Sequence, residues 1–399
     1  MSRPIATAEV RLARGNVVAV QLPPGEAWRE IAAKAWSAEA ALLPVDDRLP
    51  GPAARALLTR AEPTVLVTPE GWRRVPEGRP AGASVALIVA TSGSSGRPRL
   101  VELARSAVEA AVAASLRGLG AGAGDGWVSC LPPAHVGGLL VVLRGLLGGV
   151  PLAFRSPGRL EPAGEFPFIS VVPTQLVRAL DAGVDLRGYR AMLVGGGGMD
   201  EGLRRRAAAA GAMPVATYGM TQSCGGVVYD GVPLPGVSLR LSDAGEIQLA
   251  GPTLLRGYRD GTGAGLTADG WLPTGDAGWI DAGGRLRLRG RLDELIVTGG
   301  EKVWPAEVEA VLRSHPSVAE CAVIGRDDPT WGRRVVAVVV PRDPAAPPTL
   351  ETLRDHVGSV IGRHQAPREL EVVESLPRTA LGKVRRGALH GRGGGAAHG

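Results

Sequence analysis

Thr91-Ser-Gly-Ser-Ser-Gly-Arg-Pro-Arg99 follows directly on the apolar run Val85–Ala90. The hydroxyls of Thr91, Ser92, Ser94 and Ser95, the glycines Gly93 and Gly96 and the arginines Arg97 and Arg99 crowd into this loop. They supply O–H donors, backbone N–H groups free to converge, and positive charge, a set that suits phosphate oxygens. A flexible Ser/Gly linker is the alternative. Linkers, however, are seldom bracketed by a buried strand and an Ala-rich helix, which is expected here over Leu103–Leu116. The loop lacks the GxxxxGK[ST] spacing of a P-loop, and Gly195-Gly-Gly-Gly198 runs into Met199-Asp200, missing the GxGxxG dinucleotide fingerprint. Phosphate binding here calls for a different nucleotide-binding architecture.

Other residues with chemical potential lie downstream. His135 stands just past Pro132-Pro133 at the end of an apolar run, where a lone histidine is more often structural than catalytic. Arg144 sits in the apolar stretch Gly138–Gly149, a costly place for a guanidinium unless it meets an anion or escapes to solvent at a helix end. Tyr218-Gly-Met-Thr-Gln222 follows a strand-like run, Thr274-Gly-Asp276 follows a turn, and Gly290-Arg-Leu-Asp-Glu294 precedes a change of pattern. Pro377-Arg-Thr-Ala-Leu-Gly-Lys383-Val-Arg385 places one of very few lysines of an arginine-dominated chain in a glycine-containing loop. An ordinary exposed lysine, a turn-forming aspartate and tight Gly-Gly turns are the plainer readings of these segments.

The elements that must position these residues alternate. Strands are expected at Thr64–Thr68, Val85–Ala90, Trp127–Leu131, Phe168–Val172, Ala191–Val194 and Pro214–Tyr218, and helices at Leu103–Leu116, Gly138–Leu147, Thr174–Ala182 and Glu201–Ala210. This predicts an α/β fold, a largely parallel sheet covered by helices. From Val227 to Arg289 the chain reads as strand and turn with no helix, an antiparallel, barrel-like subdomain. After Asp293 come a helix at Pro305–Ser314, strands at Val318–Ile324 and Val335–Val340 and a helix at Leu350–Gly362, a small α+β domain of about a hundred residues. The expected domains are therefore 1–291, containing the β-rich 227–289, then 293–390, and a disordered tail at 391–399.

Composition sets outer bounds. The 399 residues, 45% hydrophobic and 21% charged, are enough for two or three domains. A net charge of +6 admits a nucleic-acid binder, but the basic residues are scattered and aromatics reach only 4%, so anionic small substrates are the better match. Cys130, Cys224 and Cys321 lie far apart with no metal-ligand spacing and fit a reducing cytoplasm. Neither a signal peptide nor a membrane span is expected.

The ordered series of motifs resembles the adenylate-forming superfamily of acyl-CoA synthetases, adenylation domains and luciferases, over about Ala38 to Leu389. Leu131-Pro-Pro-Ala-His135-Val-Gly-Gly-Leu with Arg144, and Tyr218 to Gly231, are similar to the o-succinylbenzoate–CoA ligases of actinobacterial menaquinone synthesis. The resemblance implies ATP, Mg²⁺ and coenzyme A as cofactors and cosubstrates, a small carboxylic acid as substrate, no nucleic-acid partner, and a homodimer as the oligomer to consider. It also implies roles. Thr91, Ser92, Gly93, Ser94, Ser95, Gly96 and Arg99 hold the β- and γ-phosphates, and Gly195, Gly196, Gly197, Tyr218 and Gly219 enclose the adenine. Asp276 takes the ribose hydroxyls with Arg291 assisting, and Thr221 and Gln222 sit at the catalytic and metal position. Lys383 bridges the substrate carboxylate and the α-phosphate, and His135 gates the carboxylate. Asp293 is the hinge about which the small domain rotates, and Gly299 and Gly300 border the pantetheine tunnel. Arg144 pairs with a second substrate carboxylate, or else snorkels.

Departures from the family pattern narrow the expectation. Glutamate is usual where Gln222 stands, and lysine where Arg99 stands; an amide oxygen gives a hard cation no negative charge, and Arg99 keeps charge while changing geometry. The aspartate by which amino-acid-activating relatives hold the substrate ammonium is missing near His135. An acid–CoA ligase for o-succinylbenzoate is the reading preferred, with a ligase for another aryl or medium-sized acid, or a catalytically impaired nucleotide-binding homologue, as alternatives.

Overall fold

The computed structural model describes residues 10–91, 98–156, 160–378 and 384–389. Two compact units divide it, one of residues 1–240 with 248–273, the other of 241–247 with 274–399.

The first unit contains two seven-stranded sheets. Short, fully apolar runs such as Val17–Val20, Ala41–Pro44 and Val85–Ala90 are buried along their whole length, as strands covered on both faces must be. In sheet order the first sheet runs Gly257–Tyr258, Leu100–Ala104, Val85–Ala90, Ala41–Pro44, Val17–Val20, Val65–Thr68, Gly71–Arg74. The second runs Val232–Pro233, Gly225–Tyr229, Pro214–Met220, Ala191–Val194, Phe168–Val171, Trp127–Ser129, Leu152–Phe154. Both are parallel in their centres. The first is antiparallel at both edges, the second only at the Val232–Pro233 edge, since its other edge strand Leu152–Phe154 pairs in parallel with Trp127–Ser129. Helix Val136–Gly148 is apolar on nearly every side, and its Leu139, Val141, Val142 and Leu143 have no exposed surface. Burying each such leucine contributes roughly 2 kcal/mol.

Helix starts follow local chemistry. The Asp200 side chain accepts from the Leu203 N–H at 2.8 Å, capping Glu201–Ala209, and proline occupies the first turn of Gly51–Ala61, Pro173–Asp181 and Pro305–Ser314.

Three expectations are corrected. The alternation begins at Val17, not near Ala61, through strands of four residues that leave little periodic signal. The helix expected over Leu103–Leu116 is Arg105–Leu119, because Leu100–Ala104 instead pairs with Val85–Ala90 and buries Val101 and Leu103. The β-rich stretch contributes to several sheets: Gly225–Tyr229 and Val232–Pro233 extend the second, Gly257–Tyr258 extends the first. Ser238–Leu241, Glu246–Ala250, Leu272–Ile280 and Leu286–Arg291 make the four-stranded half-barrel sheet.

In the second unit a five-stranded sheet carries Pro305–Ser314 and Leu350–Ile361 around a core that includes Val308, Leu312, Val323, Val339 and Leu353. Among the described residues no helix is long and apolar enough to cross a membrane.

Candidate active site

In the first unit, the loop after Val85–Ala90 is closed at its base. The Thr91 N–H donates to the Arg99 carbonyl at 2.8 Å, and the Arg99 N–H donates to Thr91 Oγ1 at 3.0 Å. Ser92, Gly93, Ser94, Ser95, Gly96 and Arg97 lie outside the described residues. The Arg99 guanidinium lies over the Tyr258 ring, 3.3 Å from its centroid, and the Tyr258 hydroxyl accepts from Gln222 Nε2 at 3.4 Å. Arg99 and Gln222, far apart in sequence, are thus brought to one tyrosine.

Gln222 belongs to the short helical turn Thr221–Ser223, which continues Pro214–Met220. Gly195 follows Ala191–Val194, which pairs in parallel with Pro214–Met220, so the Gly195–Gly197 turn opens beside Thr217 and Tyr218. Gly219 has φ +156°, and a Cβ there would stand 2.0 Å from the Gly225 carbonyl oxygen. Gly219→Ala is therefore expected to cost about 2–5 kcal/mol, strain and overpacking together. Denaturant unfolding measures it, with a loss under 1 kcal/mol contradicting the placement.

His135 takes the N-cap position of Val136–Gly148. Its Nε2 is 3.7 Å from Asp46 Oδ2, an ion-pair distance once the ring is protonated. Asp46, 6% exposed, is gripped by Arg48 through Nε at 2.9 Å, Nη2 at 2.8 Å and the backbone N–H at 3.0 Å. Burial alone would push this carboxyl up; the bonds from Arg48 and the neighbouring His135 outweigh it and hold the group well below the usual carboxylate range.

Arg144 is 3% exposed, so it does not snorkel. Its Nε and Nη2 donate to Ser115 Oγ at 3.1 and 2.9 Å, Nη2 also reaches the Tyr229 hydroxyl at 3.5 Å, and its plane lies over Trp127 at 4.4 Å. Nη1 is buried with no hydrogen-bond partner, as is Trp127 Nε1. Among the described residues no carboxylate pairs with Arg144, and burial lowers its pKa. Arg144 is thus a buried cation held only by neutral groups, with one donor nitrogen left over, a costly arrangement.

In the second unit Asp276, Arg291 and Asp293 form one cluster. Arg291 Nη1 contacts Asp276 Oδ1 at 3.2 Å and donates to the Thr274 carbonyl at 2.9 Å, while Nε reaches Asp293 Oδ1 at 3.1 Å. The ribose and hinge candidates therefore share one guanidinium. Gly299 and Gly300 turn the hairpin between Ile296–Thr298 and Glu301–Val303. Gly299, at φ +57°, lies so close under the Trp331 ring that a Cβ would approach it to 2.7 Å. Lys383 lies outside the described residues, but its loop is anchored on both sides. Arg378 bridges Val384 and pairs with Glu320 at 2.6 Å, and Arg386 grips Glu294 at 3.0 Å and Glu309 at 2.7 Å.

Sequence reasoning passed over Tyr258, Asp46, Ser115 and Tyr229. Tyr229 lies inside the Tyr218 to Gly231 segment without a role of its own there, and the other three stand in no motif; each matters through a partner distant in the chain.

The AMP-binding enzyme model matches residues 69–259, and the AMP-binding enzyme C-terminal domain model matches residues 307–383. A probable 2-succinylbenzoate–CoA ligase of Mycobacterium tuberculosis (strain ATCC 25618 / H37Rv) is 41% identical over 378 residues, 90% of this chain and 97% of the relative. The 2-succinylbenzoate–CoA ligase of Geobacillus sp. (strain WCH70) is 32% identical over 339 residues, 76% of this chain and 68% of the relative. The solved o-succinylbenzoate CoA synthetase (MenE) of Bacillus subtilis, in complex with the acyl-adenylate intermediate OSB-AMP, shares the fold. Its TM-score is 0.84 at 24% identity, covering 96% of this chain and 90% of that one.

Proposed function

The chain belongs to the AMP-binding enzyme family, and we propose that within it the protein is an AMP-forming acid–CoA ligase acting on 2-succinylbenzoate. A carboxylate oxygen attacks the α-phosphorus of ATP; the new O–P bond forms as the bond to pyrophosphate breaks. The thiolate of coenzyme A then attacks the acyl carbon, a C–S bond replaces the C–O bond, and AMP leaves. The first step crowds anions together, so donors and cations must face the developing charge. Thr91, Arg99 and the loop between them take the β- and γ-phosphates, Lys383 the α-phosphate and attacking carboxylate, Tyr218 with Gly195–Gly197 the adenine, and Asp276 the ribose with Arg291. His135 stands at the carboxylate, Asp293 is the pivot, and Gly299 and Gly300 border the thiol's path.

The observation that carries the substrate is Arg144. A dicarboxylate activated at one end needs a counter-charge for the other, and a guanidinium buried without an acid, one nitrogen unpaired, provides it. The relatives named for 2-succinylbenzoate support the same acid.

No group of three or more His, Cys, Asp or Glu among the described residues could hold a metal ion. With Gln222 Nε2 turned to Tyr258, the amide oxygen is the protein donor at the metal position, a fit for Mg²⁺ that arrives on ATP. Bound there, Mg²⁺ would neutralise phosphate charge. Gln222→Glu, adding a negative ligand, is expected to lower the Mg²⁺ needed for half-maximal pyrophosphate exchange by about three- to tenfold; an unaltered dependence contradicts this role.

Cys130, Cys224 and Cys321 are free, which fits a reducing, cytoplasmic setting, and burial pushes their thiols up to about 12, leaving them unreactive. The test of the whole reading is an acid panel with ATP, Mg²⁺ and coenzyme A, read by AMP release and mass spectrometry of thioesters. The coenzyme A thioester of 2-succinylbenzoate is the expected product. Nucleotide binding without AMP would instead identify an impaired homologue, the outcome Gln222 leaves open.

A further inference from the structure

We infer that Tyr258 is a positioning residue that couples the phosphate loop to Gln222, its ring setting Arg99 and its hydroxyl setting the Gln222 amide. The inference rests on the adenylating reading above and names a residue outside its motifs.

Tyr258 is held from several directions. It lies in the two-residue edge strand Gly257–Tyr258, paired opposite Glu102 and Val101, so it sits beside the segment that leaves the phosphate loop at Arg99. The flanking Arg256 N–H donates to the Glu102 carbonyl and the Arg259 N–H to the Leu100 carbonyl, each at 2.9 Å. Arg259, 2% exposed, donates to the Ala61 and Pro80 carbonyls at 3.1 and 3.0 Å, fixing the strand from behind. On the other side the Leu255 N–H donates to the Gln222 carbonyl at 2.8 Å. The segment from Leu255 to Arg259 therefore clamps the end of the phosphate loop and the Gln222 turn at once.

Within that clamp the side chain makes two distinct contacts. The ring carries the Arg99 guanidinium at 3.3 Å, and the hydroxyl oxygen accepts from Gln222 Nε2 at 3.4 Å. With its amide nitrogen committed to Tyr258, Gln222 has its oxygen directed elsewhere. A carboxylate at this position would have no N–H to offer the phenol oxygen. Arginine in place of lysine likewise suits a partner with a flat aromatic face, on which a guanidinium stacks. Arg99 and Gln222, which stand where the resemblance leads one to expect lysine and glutamate, converge on the same side chain.

The ring and the hydroxyl are separable. Tyr258→Phe keeps the surface under Arg99 and removes the bond to Gln222; Tyr258→Leu removes both. Binding of a non-hydrolysable ATP analogue is measured by calorimetry, Mn²⁺ binding to that complex by electron paramagnetic resonance, adenylation by pyrophosphate exchange, and the second step by thioester formation from prepared acyl-adenylate. For Tyr258→Phe, analogue affinity is expected to stay within about twofold while Mn²⁺ binds about threefold more weakly. For Tyr258→Leu, analogue affinity and exchange fall about three- to thirtyfold, with thioester formation from the prepared adenylate within about twofold. Equal effects of the two variants, wild-type behaviour in both, or a parallel loss of thioester formation, the mark of a merely structural tyrosine, overturn the inference. A wild-type protein without pyrophosphate exchange overturns the adenylating reading itself, a result distinct from any of these.

Discussion

Lys383→Ala is expected to lower pyrophosphate exchange by about 10²–10³-fold while leaving thioester formation from prepared acyl-adenylate within about threefold of wild type. The asymmetry follows from charge. When the carboxylate attacks the α-phosphorus, negative charge from the acid and the triphosphate meets at one centre, and a positioned ammonium is worth most there. In the second step the nucleophile meets a neutral carbonyl and AMP departs, so the same lysine has little left to stabilise. The anchoring of its loop by Arg378 and Arg386, each paired with carboxylates, is the support such a role requires. Rapid-quench measurement of each half-reaction separates the two, and an equal fall in both removes Lys383 from adenylation.

Arg144→Met produces the second large effect, and a selective one. The value of kcat/KM for 2-succinylbenzoate is expected to fall by about 10²-fold or more, because one partner of a desolvated charge pair is lost. Turnover of 4-oxo-4-phenylbutanoate, the same acid without the ring carboxylate, is expected to change by less than about threefold. Stability moves the other way. Arg144 has no carboxylate partner among the described residues, so replacing it by an apolar side chain of similar length removes an unpaid desolvation penalty, and Tm is expected to hold or rise. Equal losses on both acids, or a lowered Tm with both activities gone, would assign Arg144 to the scaffold.

Both experiments start from residues that sequence singled out, and the contrast between them marks its reach. The phosphate loop, the turn at Tyr218 to Gln222, Thr274 to Asp276 and the Lys383 loop are contiguous in the chain. Their chemistry is written into neighbouring residue types, and no tertiary contact is needed to read it. The same holds for helix ends set by Asp200 or by a first-turn proline. Arg144 was conspicuous because a charge interrupts an apolar helix, yet sequence left snorkelling and anion binding level. Burial to 3% removed the first alternative, and the orphaned Nη1 favours the second.

What the chain determined by itself is the kind of chemistry and the local frames that carry it: donors in a loop, a lysine near the end, a cation among leucines. Tertiary structure decided which of these groups meet. Ser115 and Tyr229 reach Arg144 across separations of 29 and 85 residues, and Tyr258 collects Arg99 from before the strand Leu100–Ala104 and Gln222 from the turn after Pro214–Met220. Such meetings depend on strand order and register, which arise from the burial of whole faces rather than from any short run of residues.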